Sequence, residues 1–213
     1  MFEFSLFGFP VRIRPWFWLS CFILGGGLSM RGAAADWIPV LEWILVVLVS
    51  ILIHELGHAL LGRRFGGHAV IELHAFGGTT FLQGQLYTRP QNIVVSLAGP
   101  AFSIGLAVIS FLAWNYSPPI SPVLDEIFKT SLYVNTWWTV FNLLPVMPMD
   151  GGQVMRDLLG PSRFRIACWI GAATAIAAGC FMAVSGNYFA AVMLGFFAWF
   201  NYKGTVHSGG VSR

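Results

Sequence analysis

The chain has 213 residues, of which 56% are hydrophobic and only 10% charged, with a formal net charge of +3. Soluble domains carry about 25% charged residues, so a soluble fold of this length would lack polar surface, and lipid is expected to cover most of the outside. The small net charge, with no basic run interleaved with aromatics, leaves no case for a nucleic-acid partner, and the scattered Cys21, Cys168 and Cys180 have neither disulfide-framework nor C-x-x-C zinc spacing.

At the N-terminus Phe2, Phe4 and Leu6, then Val11 and Ile13, alternate with other residues, which predicts a strand pair turning near residues 8–10. Arg12 and Arg14, the apolar run after them and Ala33-Ala34-Ala35 imitate a signal peptide. The alternating segment ahead of the arginines speaks against that reading, and the N-terminus is expected to stay uncleaved. Apolar stretches follow over residues 15–30, 37–61, 93–116, 132–147, 166–184 and 188–202. Crossing a bilayer takes about 20 apolar residues. The second and third stretches meet that outright, while the first, fourth and sixth are short.

With the N-terminus in the cytoplasm, six spans place Arg12, Arg14, Arg63, Arg64, Arg89, Arg156, Arg163, Arg165, Lys203 and Arg213 inside and only Arg31 and Lys129 outside. That asymmetry follows the positive-inside rule. The expected fold class is therefore an all-α polytopic membrane protein of about six transmembrane helices. It forms a single domain over residues 1–213, with no appended soluble module and with both termini cytoplasmic. The cell membrane is the expected location.

Residues 66–87 are not a span. Ala69, Ile71, Leu73 and Ala75 alternate with His68, Val70, Glu72 and His74, the period of a half-buried strand. Gly77-Gly78 and then Thr79-Thr80-Phe81-Leu82 complete a hairpin with a glycine turn. At membrane depth such backbone must be buried in protein or line a wet cavity. A small membrane-associated β-hairpin or sheet is thus expected beside the helices.

The second stretch contains His54-Glu55-Leu56-Gly57-His58, an H-E-x-x-H motif. Residues four apart on a helix face the same way, so both imidazoles can reach one zinc ion. Glu55 follows the first ligand and can take a proton from a zinc-bound water, whose pKa the metal lowers to about 7. The bland alternative is a chance polar patch. An ionised group at the bilayer centre costs about 2.5–3.5 kcal/mol on insertion scales, which weighs against three ionisable groups gathering in a span without a purpose.

Catalytic zinc takes three protein ligands and leaves one position open. Asp150 is the best candidate for the third. It follows Asn142-Leu143-Leu144-Pro145-Val146-Met147-Pro148-Met149 and precedes Gly151-Gly152, where prolines and glycines break the helix. The topology puts it on the same side of the membrane as the histidines. An interfacial helix cap is the alternative role for this aspartate. His68 and His74 are further ligand candidates in principle, although a polar strand face toward a wet cleft accounts for them.

The H-E-x-x-H span, Ser96-Leu97-Ala98-Gly99-Pro100 at the start of the next and Asn142-x-x-Pro145 with Asp150-Gly151 after the fourth resemble the site-2 protease family of intramembrane zinc metalloproteases. The resemblance covers the chain from its Phe-rich start to about Asp157. It implies that His54, His58 and Asp150 bind one zinc ion, that Glu55 is the general base, and that the substrate is a membrane-spanning segment of another protein, cleaved in regulated intramembrane proteolysis. Met147 and Met149 depart from the family pattern, which often has proline and leucine there, and no PDZ or CBS domain is expected. The Asn142 amide could donate to the scissile carbonyl or its oxyanion, or pair with backbone where the helix unwinds. The expected partners are the substrate and the lipid bilayer, with homo-oligomerisation left open.

Two rival classes remain. A membrane metalloprotease with a glutamate third ligand would have to use Glu126, which the topology puts on the far side. A non-catalytic membrane protein would be either a degenerate family member, which should have lost a ligand or the base although His54, Glu55, His58 and Asp150 are all present, or a transporter, which should show matching broken spans in two halves, a symmetry the sequence lacks.

Overall fold

The computed structural model describes residues 1–30, 37–84, 86–116 and 121–207. Arg31, the alanine triplet and Arg213 lie outside the described residues. The chain forms two compact units, Met1–Leu86 with Ala98–Thr139, and Tyr87–Leu97 with Val140–Arg213.

In the first unit, β1 (Phe2–Leu6) and β2 (Phe9–Ile13) form the expected antiparallel pair, turning at Phe7 and Gly8, both at positive φ. Two helices follow, α1 (Pro15–Leu24) and α2 (Trp37–Arg64), and then β3 (His68–His74) and β4 (Gly77–Gln83). β2 and β3 pair in parallel, Val11 opposite Ile71, so the four strands make one sheet in the order β1-β2-β3-β4. A parallel pair needs a long crossover, and α1 and α2 supply it. Alternation in the sequence marks each strand pair but not the seam that joins them.

Ala69, Ile71 and Leu73 point into the core as their spacing predicts, packing with Val11, Ile13, Ile51, Leu56 and Ala59. One detail is corrected. The hairpin turns at Ala75 and Phe76, while Gly77 and Gly78 already pair with His74 and Leu73 inside the ladder. The glycines serve close contacts instead. A Cβ on Gly77 would lie 2.6 Å from the Trp138 ring, and one on Gly78 would lie 2.6 Å from the Glu55 side chain.

Two helices begin in one unit and end in the other, α3 (Arg89–Tyr116) and α4 (Pro122–Asn142). α4 starts ten residues before the fourth apolar stretch and stops five before its end. Asp125 and Lys129 pair across one helical turn at 2.7 Å, and Lys129 also lies over the Trp114 ring. Such a pair supports helix where the apolar signal is weak. At the other end Pro145 and Pro148 forbid continuation. The second unit adds α5 (Asp150–Leu159), which hydropathy did not signal, and the packed pair α6 (Phe164–Val184) and α7 (Tyr188–His207).

Among the described residues, α2, α3 and the segment Pro161–Val184 that contains α6 are long and apolar enough to cross a membrane. These correspond to the second, third and fifth apolar stretches. α1 has only ten residues, and charged or polar residues dilute α4 and α7. Leu41, Leu45, Ile104 and Ile109 in the first unit and Ile176 and Phe196 in the second are about half exposed on their helices, as side chains that face lipid would be. Cys21 and Cys168 are buried, whereas Cys180 is exposed.

Candidate metal centre

His54, Glu55 and His58 sit about two to three turns before the end of α2, buried to 2%, 4% and 8% exposure. The i, i+4 spacing does what the helix period requires: the two Nε2 atoms are 3.2 Å apart. Two ligands at Zn–N distances of about 2.0–2.1 Å in tetrahedral geometry stand about 3.3 Å apart, so the pair has the bite of a chelate.

The space in front of the pair is kept open by backbone. A Cβ on Gly99 of α3 would collide with His58 Nε2 and lie 2.8 Å from His54 Nε2. Only glycine leaves room there for a metal. Gly57, between the histidines, lets α3 come close, because a Cβ on it would lie 2.6 Å from the Ala98 carbonyl oxygen. The Ser-Leu-Ala-Gly-Pro stretch thus has a steric job at the centre.

The histidine pair is held from behind. Ser103 Oγ lies 3.0 Å from His54 Nδ1. If Nδ1 donates to that hydroxyl, the Nε2 lone pair is free for metal, the usual role of such a partner. Trp138 of α4 packs edge-on against the His54 ring, with centroids 6.2 Å apart and planes at 86°.

Glu55 lies one residue after His54 and three before His58 on α2. Its carboxylate reaches the sheet, where Thr80 Oγ1 donates to Oε2 at 2.7 Å and Gly78 leaves it space. A carboxylate oriented by a hydroxyl on one oxygen can take a proton on the other. Ser103, Thr80, Trp138 and the packing role of Gly78 were not found from the sequence. They act through tertiary contacts between elements far apart in the chain, and no local spacing encodes those.

In the second unit, Asn142 is the last residue of α4, half-buried. Residues 143–149 form a loop, and Asp150 is the first residue of α5, buried to 7% exposure. Gly151 and Gly152 press against the backbone of Leu143 and Val146, where any side chain would clash. His54, His58 and Asp150 each offer one ligand atom of the kind zinc takes. His68 and His74 lie in the sheet, with His74 bonded to Thr79 at 3.0 Å and Glu72 to Arg14.

No family model matches the chain. Curated relatives do. Rip3 of Mycobacterium tuberculosis is 32% identical over 198 residues, which are 86% of this chain and 50% of that one. Rip2 of Mycolicibacterium smegmatis is 30% identical over 192 residues, 73% of this chain and 74% of that one. The names of both carry the words zinc metalloprotease. The chain spans about half the length of Rip3. Among solved structures, a site-2 protease from Methanocaldococcus jannaschii matches with a TM-score of 0.61 at 23% identity, covering 100% of this chain and 97% of that one. At that identity the likeness is one of fold.

Proposed function

The chain belongs to the site-2 protease family of zinc metalloproteases, and we propose that it hydrolyses a peptide bond in or near the transmembrane segment of another membrane protein. Family membership and the exposed apolar helices make it an integral membrane protein. The observation that carries the reading further is the His54–His58 pair, with Nε2 atoms 3.2 Å apart in front of an obligatory glycine.

In this reading His54, His58 and Asp150 hold one zinc ion. The donor set of two imidazoles and a carboxylate fits a catalytic site that keeps a position open. Zinc supplies Lewis acidity and lowers the pKa of water. The protein supplies the rest. Glu55, oriented by Thr80, takes the proton of the attacking water and passes it to the leaving amine. Asn142 donates its amide to the scissile carbonyl as charge develops there.

The substrate proposed is a membrane-spanning segment, with regulated intramembrane proteolysis as the process. Residues 1–213 act as one catalytic domain with about six spans. Both termini and the site face the cytoplasm, supported by the bias of Arg and Lys along the sequence.

Purified wild-type protein, Glu55→Gln and Asp150→Ala test this together, with zinc content and cleavage of a membrane-spanning substrate measured on each. Glu55→Gln should keep zinc and lose cleavage by about 10²–10⁴-fold, the usual worth of a positioned base. Asp150→Ala should lose both. Full zinc occupancy in Asp150→Ala would remove that residue from the ligand set, and wild-type cleavage by Glu55→Gln would remove the base.

A further inference from the structure

Asn201 lies within α7, 1% exposed, far in sequence from every motif above. A side-chain amide so deeply buried needs partners, and those of Asn201 are unusual. Its Nδ2 donates to the Met147 carbonyl at 2.8 Å and to the Phe197 carbonyl of its own helix at 2.7 Å. Its Oδ1 accepts the Met147 backbone N–H at 3.2 Å. The amide therefore pairs with both main-chain groups of one loop residue, as an adjacent strand would.

Met147 occupies the position in the Pro145-Val146-Met147-Pro148 loop where such a clasp is needed. The prolines have no N–H to anchor the loop. Val146 is fully buried against Ala175 and Ala198, and its carbonyl accepts from Met149 at 2.8 Å. Room for the clasp is reserved on α6, because a Cβ on Gly171 would collide with Asn201 Oδ1 and lie 3.2 Å from the Pro145 carbonyl oxygen. Met149 is the N-cap of α5 and Asp150 its first residue, three positions beyond the clasped peptide. Gly152 rests on the Val146 carbonyl, where a Cβ would lie 2.5 Å away. Little slack remains between Met147 and the Asp150 carboxylate.

We propose that Asn201 is a positioning residue for the metal ligand Asp150, fixing the loop that presents it, so that α7 sets the third donor while contributing no ligand itself. The proposal rests on the reading that Asp150 binds zinc.

The test uses the full chain in detergent micelles, with Asn201→Ala, Gly171→Ala and Asp150→Ala beside wild type. Zinc affinity is measured by chelator competition, and Co²⁺ alone is added to metal-free protein to record its d–d spectrum. Helical content is followed by circular dichroism. Asn201→Ala should keep its helices, bind zinc about 10–100-fold more weakly, the usual effect of losing support behind a ligand, and shift the Co²⁺ bands. Gly171→Ala, which pushes on the same amide, should shift them the same way to a smaller extent. Wild-type affinity and spectrum in both variants would overturn the proposal while Asp150→Ala still fails to bind. Failure of both variants to assemble would make the clasp a folding element and overturn it too. Wild-type zinc binding by Asp150→Ala would instead defeat the ligand reading, and the positioning role would fall with it.

Discussion

Thr80, on the strand β4, holds Glu55 twice, donating its hydroxyl to the carboxylate at 2.7 Å and lying 3.1 Å from the Glu55 carbonyl oxygen. The edge of the sheet and the proposed general base are thereby one rigid piece. Thr80→Val keeps the shape and removes the hydroxyl. We expect turnover to fall about tenfold, within the range a mispositioned base loses, with zinc content unchanged. Thr80→Ser should restore most of it. Equal turnover in the valine and serine variants would show that the hydroxyl does nothing for Glu55.

Gly99 and Ser103 lie on either side of the histidine pair. Gly99→Ala puts a methyl where it meets both Nε2 atoms, and zinc should be lost outright while the helices persist. Ser103→Ala removes the partner of His54 Nδ1 and should weaken zinc about 10–100-fold. Zinc analysis on both purified variants checks this, and a Gly99→Ala protein with stoichiometric zinc would refute the cradle.

The spacing of the candidate ligands is more legible in the sequence than the architecture. His54 and His58 are legible because ligand and helix periods coincide at four residues, and the inward face of β3 because strand period and burial coincide at Ala69, Ile71 and Leu73. The Val11–Ile71 seam is not legible, since parallel pairing across a crossover leaves no local mark. Nor is the Asn201–Met147 clasp, in which a single amide at residue 201 meets a loop 54 positions earlier. Gly78 misled for a physical reason. Glycine signals both turns and close approach, and here it makes room for the Glu55 side chain.

Acid should loosen the sheet at one identifiable pair. Arg14 donates to Glu72 at 2.5 Å, and this bond, with the Arg14 charge, holds the Glu72 carboxyl below its ordinary range while raising Arg14. A depressed carboxylate contributes stability above its unfolded value and loses it as pH falls through the folded one. Thermal unfolding followed by tryptophan fluorescence should therefore show a small loss on acidification that Glu72→Gln lacks. An identical acid response in Glu72→Gln would assign the loss elsewhere.

The last prediction concerns how substrate is held. A helical segment hides its carbonyls in backbone hydrogen bonds and must be extended before water can attack one of them. Extended backbone at membrane depth carries N–H and C=O groups that each cost several kcal/mol, roughly, if left unpaired. β4 lies over Glu55 and is an edge of the sheet among the described residues, whereas β3 is paired on both sides. Strand addition to β4 would satisfy the substrate backbone and bring it past the base. Proline at Ile71 is no test, since that residue is fully buried between two strands. Proline placed in turn at Thr79, Phe81 and Leu82 is one. An N–H that faces β3 holds the sheet together, and an N–H that faces outward is available to substrate, so the effects should alternate along the strand. Where the N–H faces outward, the variant should stay folded, keep zinc and cleave several-fold more slowly. Helix-breaking residues in the substrate span should speed cleavage by wild type. Folded, zinc-loaded proline variants across β4 that all cleave at the wild-type rate would show that the substrate is clamped elsewhere, with β1, the other edge of the same sheet, the next strand to scan.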